Sequence, residues 1–282
     1  MTSPKEFIDK LSDHLQKHNS LEKLVHKLKT NFGLTTCIGA EIEFYLSENI
    51  DPLELENHLS IKVKKEKGKH QYEIDLPPSH NLSNYITEIH STKSKIQNII
   101  RKLNGSVDFT SKPFSADYGN SMHFHLNFLE STDYEKHAQS ICHYMLDTFL
   151  VFMPNTDDYL RLDKDFMAPT NVSFGNNNRT VAVRIPDLAP KRLEHRLSNP
   201  LTDPYIAIFT ILNSTVLGIK FPEQINNFNK IYGNAFDPQY NLVPLPKSLP
   251  EALKLFKLEF YLEDGQQGQS DIESLLQIIN NS

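Results

Sequence analysis

The sequence predicts an α+β domain built on a largely antiparallel sheet, and three observations lead there. Strand and helix patterns mix irregularly along the chain, without the βαβ rhythm of parallel sheets. No linker or internal repeat divides the 282 residues. Their 39% hydrophobic content is enough to bury one sizeable core.

Taken in order, Phe7, Ile8, Leu11, Leu15, Leu21, Leu24, Val25 and Leu28 recur at helical spacing over 4–30. They predict one broken helix or two, with Ser3 or Ser20 as caps. Thr35 to Leu46 alternates apolar and polar residues as a half-buried strand does. Asp51–Leu59 reads as a short helix, Ser60–Val63 and Tyr72–Leu76 as strands, and the PPS at 77–79 as a stop signal. Ser83–Leu103 is a long helix, Thr110–Ser121 a loop, Met122–Phe128 a strand and Asp133–Phe152 a helix. Further strands are expected at Thr180–Arg184 and Arg192–Arg196, an apolar helix at Pro204–Lys220, and a helical tail after the Pro-rich stretch 237–250.

Composition excludes several classes of function. No apolar run approaches the roughly 20 residues of a membrane span, and MTSPKEFIDKLSDHL at the start does not resemble a signal peptide, so the expected address is the cytoplasm. Cys37 and Cys142 lack the CxxC spacing of a zinc cluster and suit neither that nor a disulfide framework. A net charge of −6, with the basic run Lys62–Lys69 broken by Glu66, argues against nucleic acid as a partner.

Successive strand residues point to opposite faces, so Glu41 and Glu43 in IGAEIEF share a face, as do His123 and His125 in MHFHLNF. Arg192, Glu194 and Arg196 in KRLEHRL can do the same. On an ordinary half-exposed strand each pair alone would be the solvated face. Together on one sheet they converge, and carboxylates packed within a few Å repel by roughly 1 to 4 kcal/mol per pair, which a cation must offset. Glutamates with one imidazole suit Mg²⁺ or Mn²⁺ better than zinc.

Three longer runs carry a specific resemblance. EKGKHQYEIDL (66–76) places a second Glu seven residues after the first, within Gln-Tyr-Glu-Ile. KPFSADYGNSMHFHLNF (112–128) leads from Lys-Pro to His-x-His, and NNRTVAVRIPDLAPKRLEHRLSNPLTDPYIAI (177–208) ends in Arg-x-Glu-x-Arg before Asp-Pro-Tyr. With PKSLPEAL near the end, which resembles a closing helix, these runs resemble the glutamine synthetase family, in family order, over roughly residues 36–262.

The resemblance implies a curved, largely antiparallel sheet forming an active-site funnel with surrounding helices, in a catalytic domain at 35–282 preceded by a helical segment at 1–34 in place of the family's N-terminal β-grasp domain. It implies two divalent cations: one held by Glu43, Glu66 and Glu73 near the substrate, the other by Glu41, His123 and Glu194 near the phosphates of ATP. Five carboxylates around two such ions leave about one net negative charge for arginines to balance. By position, Arg179 and Arg184 face the nucleotide phosphates, Arg192 and His125 lie near the nucleotide, and Arg161, Arg196 and Gly119 hold the substrate acid. Arg179 and Arg161 also count as catalytic. The implied reaction phosphorylates the side-chain carboxylate of glutamate or a similar acid with ATP, then forms an amide with ammonia or a small amine. A homo-oligomer is compatible with it.

Departures from the family pattern qualify the substrate. Met167 stands where the family has a Glu that helps bind and deprotonate ammonium, unless Asp163 or Asp165 reaches the site instead. Tyr118 and Ser121 replace an Asn and a Gly before the histidines. These changes point to a bulkier, less polar amine or a different acceptor, or to a paralogue that keeps metal and nucleotide in a regulatory role.

Overall fold

The computed structural model describes residues 3–262, beginning with two helices, α1 (Pro4–Lys17) and α2 (Ser20–Phe32). Ser3 closes a capping box with Glu6 at the start of α1. At α2 the cap is Asn19, in left-handed backbone at φ 50°, and Ser20 is the first helical residue. Then come β1 (Thr36–Leu46), α3 (Pro52–Leu59), β2 (Val63–Lys65), β3 (Gln71–Ser79), α4 (Leu82–Lys102) and β4 (Val107–Asp108). β5 (Met122–Phe128), α5 (Tyr134–Phe152), β6 (Phe174–Asn176), β7 (Val183–Ile185), β8 (Leu193–His195), α6 (Pro204–Lys220) and α7 (Leu249–Leu255) follow. β5 and α6 have the bounds their patterns predict.

The strands form one mixed sheet in the order β2-β3-β1-β5-β8-β7-β6, with β4 beside β1. Every pairing is antiparallel except β6 with β7. The two-residue period divides it into two chemical faces. Ile38, Ala40, Ile42 and Phe44 of β1 and Met122, Phe124, Leu126 and Phe128 of β5 point into the core and are fully buried. α6, apolar nearly all round, packs against α5 and also against α1 and α2, which share its core. Charged residues take the other face. No described helix is long and apolar enough to cross a membrane.

Four expectations shift. Ser60 ends α3 in left-handed backbone at φ 55°, so the strand expected at Ser60–Val63 begins only at Val63. Pro77 and Pro78 do not stop β3. Between Ile38 and Ala40 on β1, the partner register on β3 steps from Ser79 to Leu76, a bulge that absorbs both prolines. The strand expected at Thr180–Arg184 is confined to Val183–Ile185, because the Asn178 side chain accepts from the Thr180 amide at 2.9 Å and holds a turn. The strand expected at Arg192–Arg196 contracts to Leu193–His195. The expected tail yields α7 and a 3₁₀ turn at Leu258–Tyr261, and its continuation lies outside the described residues.

Candidate active site

Register across the sheet decides which charged residues meet. Glu43 on β1 stands opposite Glu73 on β3, and Glu41 stands between Asp75 on β3 and His123 on β5. One row on, His125 faces Glu194 on β8, which faces Arg184 on β7. Glu41, Glu43, Glu73, Glu194, the two imidazoles and this arginine therefore occupy one face of one sheet, while Glu66 lies in the loop between β2 and β3.

Over that face opens a cavity of about 330 Å³ whose lining includes Glu41, Glu43, Glu66, Glu73, His123, Arg161, Arg179 and Arg196, together with Gly119 and Ser121. Donor atoms of Glu41, Glu73 and His123 lie within 4.8 Å of one another. His123 Nδ1 is 3.3 Å from Glu41 and 3.8 Å from Glu194. The Glu43 carboxylate accepts from the Ser121 amide at 2.7 Å, and the Ser121 hydroxyl is 2.8 Å from His123 Nε2. Ser121 thus fixes one ligand candidate from each of two strands and turns His123 Nδ1 toward the carboxylates.

The electrostatics describe a site short of positive charge. Burial pushes Glu73 up to about 9, with Glu41, Glu43, Asp75 and Glu66 adding to the effect. Lys64 lies 3.5 Å from Glu73 but is committed mainly to Asp75. Burial also raises Glu43, against the opposing influence of His123 and Ser121. For Glu41 burial is overcome by the His123 hydrogen bond and by the charges of His123 and His125 close by, which hold it well below the usual carboxylate range. Oxygen donors plus one imidazole, at mutual spacing of a few Å and with two of the carboxyls driven toward protonation chiefly by burial, fit hard divalent cations.

Other predicted residues stand further back. Glu194 lies outside the cavity lining; Arg184 holds one of its oxygens at 2.6 Å and Arg196 the other at 2.5 Å. His125 and Arg192 line a neighbouring groove of about 440 Å³, shared with Glu41 and walled by Leu76, Pro77, Pro78, Ala189 and Pro190. Arg192 donates to His125 Nδ1 at 3.0 Å. His125 Nε2 is 2.9 Å from Glu41 but out of line for a hydrogen bond. Arg161, buried, donates to the backbone carbonyls of Arg196 and Leu197. A β-carbon at Gly119 would come within 2.5 Å of the Arg161 stem, so glycine there permits the approach. The Arg179 guanidinium, exposed on the rim, makes no hydrogen bond or ion pair among the described residues.

Sequence reasoning missed Lys67, Gln71, Phe166, Ala168 and Pro169 in the lining. Gln71 had a signal, lying in the Gln-Tyr-Glu-Ile run. It ties two loops together, donating to Gly119 O at 2.9 Å and accepting from the Gly68 amide at 3.0 Å. Met167 lines the cavity, whereas neither Asp163 nor Asp165 does; Asp163 instead caps the turn Lys164–Phe166 by accepting from the Asp165 amide. Replacing Ser121 by alanine should weaken Mn²⁺ binding roughly 10-fold or more with little change in the metal-free fold, read by calorimetric titration. An unchanged affinity would remove Ser121 from the positioning of His123.

Fold and site together define an α+β domain with carboxylates, imidazole and guanidinium gathered on one face of its sheet. The chain belongs to the glutamine synthetase family: the model of the glutamine synthetase catalytic domain matches residues 53–272. It is 26% identical over 204 residues to the gamma-glutamylputrescine synthetase PuuA of Escherichia coli, covering 66% of this chain and 42% of that protein. To the glutamine synthetase of Neisseria gonorrhoeae it is 28% identical over 207 residues, covering 65% and 43%. The chain thus matches less than half the length of these relatives. Its fold is similar to Plasmodium falciparum glutamine synthetase (TM-score 0.69, 15% identity, 99% of this chain and 75% of that one). It is likewise similar to a GmaS/ADP complex (TM-score 0.73, 18% identity, 99% and 73%).

Proposed function

We propose that the chain is an ATP-dependent carboxylate–amine ligase acting on glutamate or a similar acid, with residues 35–282 as its catalytic unit. The observation that carries this reading is the gathering of Glu41, Glu73 and His123 donors within 4.8 Å on the floor of a cavity that Arg161, Arg179 and Arg196 also line. A pocket that gathers cation ligands and guanidinium groups in one lining is suited to a polyphosphate and a carboxylate together.

Glu43, Glu66 and Glu73 would hold one divalent cation, Mg²⁺ or Mn²⁺, and Glu41, His123 and Glu194 the second. When bound, these ions supply charge neutralisation for the transferred phosphoryl group. Arg161 and Arg196 hold the acid's carboxylates, a bidentate match for guanidinium. Arg179 faces the terminal phosphates, with Arg184 behind Glu194. Arg192 and His125 hold the nucleotide along the second groove, whose prolines and Leu76 offer it an apolar wall. The acid's carboxylate oxygen attacks the terminal phosphorus of ATP as ADP leaves, and an amine then displaces phosphate. The loop Phe166–Pro169 excludes water from the acyl phosphate, which hydrolysis would otherwise waste.

The test is phosphate release from ATP with Mg²⁺ or Mn²⁺, with glutamate and a panel of amines. Release that needs both acid and amine is the expected result. One observation favours a second reading, a regulatory paralogue: Met167, which cannot take a proton, lines the cavity and no aspartate of its loop does. Metal-dependent nucleotide binding with no release under any pairing would establish that reading and sink the ligase.

A further inference from the structure

The cavity has two chemically different halves. The sheet contributes Glu41, Glu43 and Glu73, while Tyr118 and the loop Phe166–Pro169 contribute two rings, a thioether and no carboxylate. Tyr118 meets Phe166 edge-on with centroids 5.4 Å apart, so the rings form one platform. Met167 completes it from left-handed backbone at φ 62°, a conformation uncommon for a side chain of its size, and is 40% exposed. The Lys112 ammonium sits 3.7 Å from the Phe166 ring centroid and donates to Asp117 O at 2.6 Å.

We propose that the amine half-site takes a short primary alkylamine whose uncharged tail lies on Tyr118, Phe166 and Met167. This rests on the ligase reading of the same cavity. Ammonium would leave the apolar platform unused, whereas each methylene laid on it improves binding roughly fourfold. A diamine would bring its second cation to lining that carries no carboxylate, beside a Lys112 ammonium that already takes up the nearby charges of Asp117 and Asp163, and an unpaired charge there is costly to desolvate. The tail is short because the 330 Å³ must also admit the acid and the terminal phosphate. The step balances without further reactants. The amine nitrogen, having given up its ammonium proton, attacks the acyl carbon; the C–N bond forms, the C–O bond to phosphate breaks with its electron pair leaving on phosphate, and nitrogen loses a further proton. The sum is ATP, acid and alkylammonium giving ADP, phosphate, amide and one proton.

The experiment measures kcat/KM for amide formation from glutamate and ATP with ammonium, methylamine, ethylamine, n-propylamine and putrescine, the amides identified by mass. The expected result is n-propylamine at least tenfold above both ammonium and putrescine. Met167→Glu should shift the putrescine-to-propylamine ratio at least tenfold toward putrescine. Preference for ammonium or putrescine in the parent, or an unchanged ratio in a variant that still turns over, overturns the assignment and leaves the ligase standing. No amide with any amine overturns the ligase reading, and the amine class with it.

Discussion

Replacing Glu73 by glutamine should leave the metal-free protein at least as stable as the parent at neutral pH, and should remove the stabilisation that one of its two metal sites supplies. For the parent, Mn²⁺ at 100 times its dissociation constant would add roughly 2.7 kcal/mol per site. The two halves of the prediction have one cause. Burial and the surrounding glutamates raise Glu73 to about 9 in the folded chain, well above the ordinary 4.5. A carboxyl shifted upward contributes stability that is intact below about pH 4.5 and lost as pH rises through about 9, by at most roughly 1.4 kcal/mol per pH unit. Glutamine mimics the protonated form and lacks that slope. In EDTA the variant should gain on the parent from pH 5 to 9, and in Mn²⁺ that gain should shrink by the roughly 2.7 kcal/mol the lost site supplied, because a metal ligand must be deprotonated. Unfolding by denaturant at several pH values reads both halves. Parallel pH profiles in EDTA, or an undiminished metal response in the variant, would sink the assignment.

Glu194→Ala should destabilise the fold by about 3 to 5 kcal/mol with or without metal, the usual cost of breaking a buried ion pair from one side. Glu194 is 1% exposed, and each of its oxygens is held by a different arginine. Burial alone would raise its pKa, but Arg196, His123 and His125 prevail and hold it at about 2. Its contribution is therefore present above the ordinary carboxylate range and lost only as pH falls toward about 2. Removing the carboxylate takes from Arg196 its ion-pair partner and leaves Arg184 only its bond to Asn177, while the Nε atoms of both are already buried without partners. A loss under about 1 kcal/mol in a denaturant titration would mean the triad behaves like a surface pair. This expectation also makes Glu194→Ala a poor probe of metal binding, since fold and ligand would be lost together.

The long elements were legible because their periods run for many residues. Eleven residues of alternation mark β1, and apolar residues recurring over 21 residues mark α4. β4, β6 and the 3₁₀ turns at Thr156–Arg161 and Lys164–Phe166 span two to six residues, too few to display a period. For the site, the two-residue period alone put Glu41 with Glu43 and His123 with His125. What it could not supply is register: that Glu73 rather than Asp75 stands beside Glu43 depends on how β3 slides along β1. Nor could Arg-x-Glu-x-Arg say that Glu194 is held by Arg184 from another strand while Arg192 turns toward His125. The family match begins at residue 53, so Glu41 and Glu43 owe their place to that register.

The two prolines in β3 bear on behaviour in a crowded solution. β2 pairs with β3 only as far as Ile74, so residues 75–79 have a strand neighbour on the β1 side alone. A bare edge of that kind is a template on which another chain can add a strand. Pro77 and Pro78 have no amide hydrogen to offer, and the bulge twists the segment out of line. The same pair that walls the second groove therefore leaves this stretch of the sheet a poor seed for aggregation.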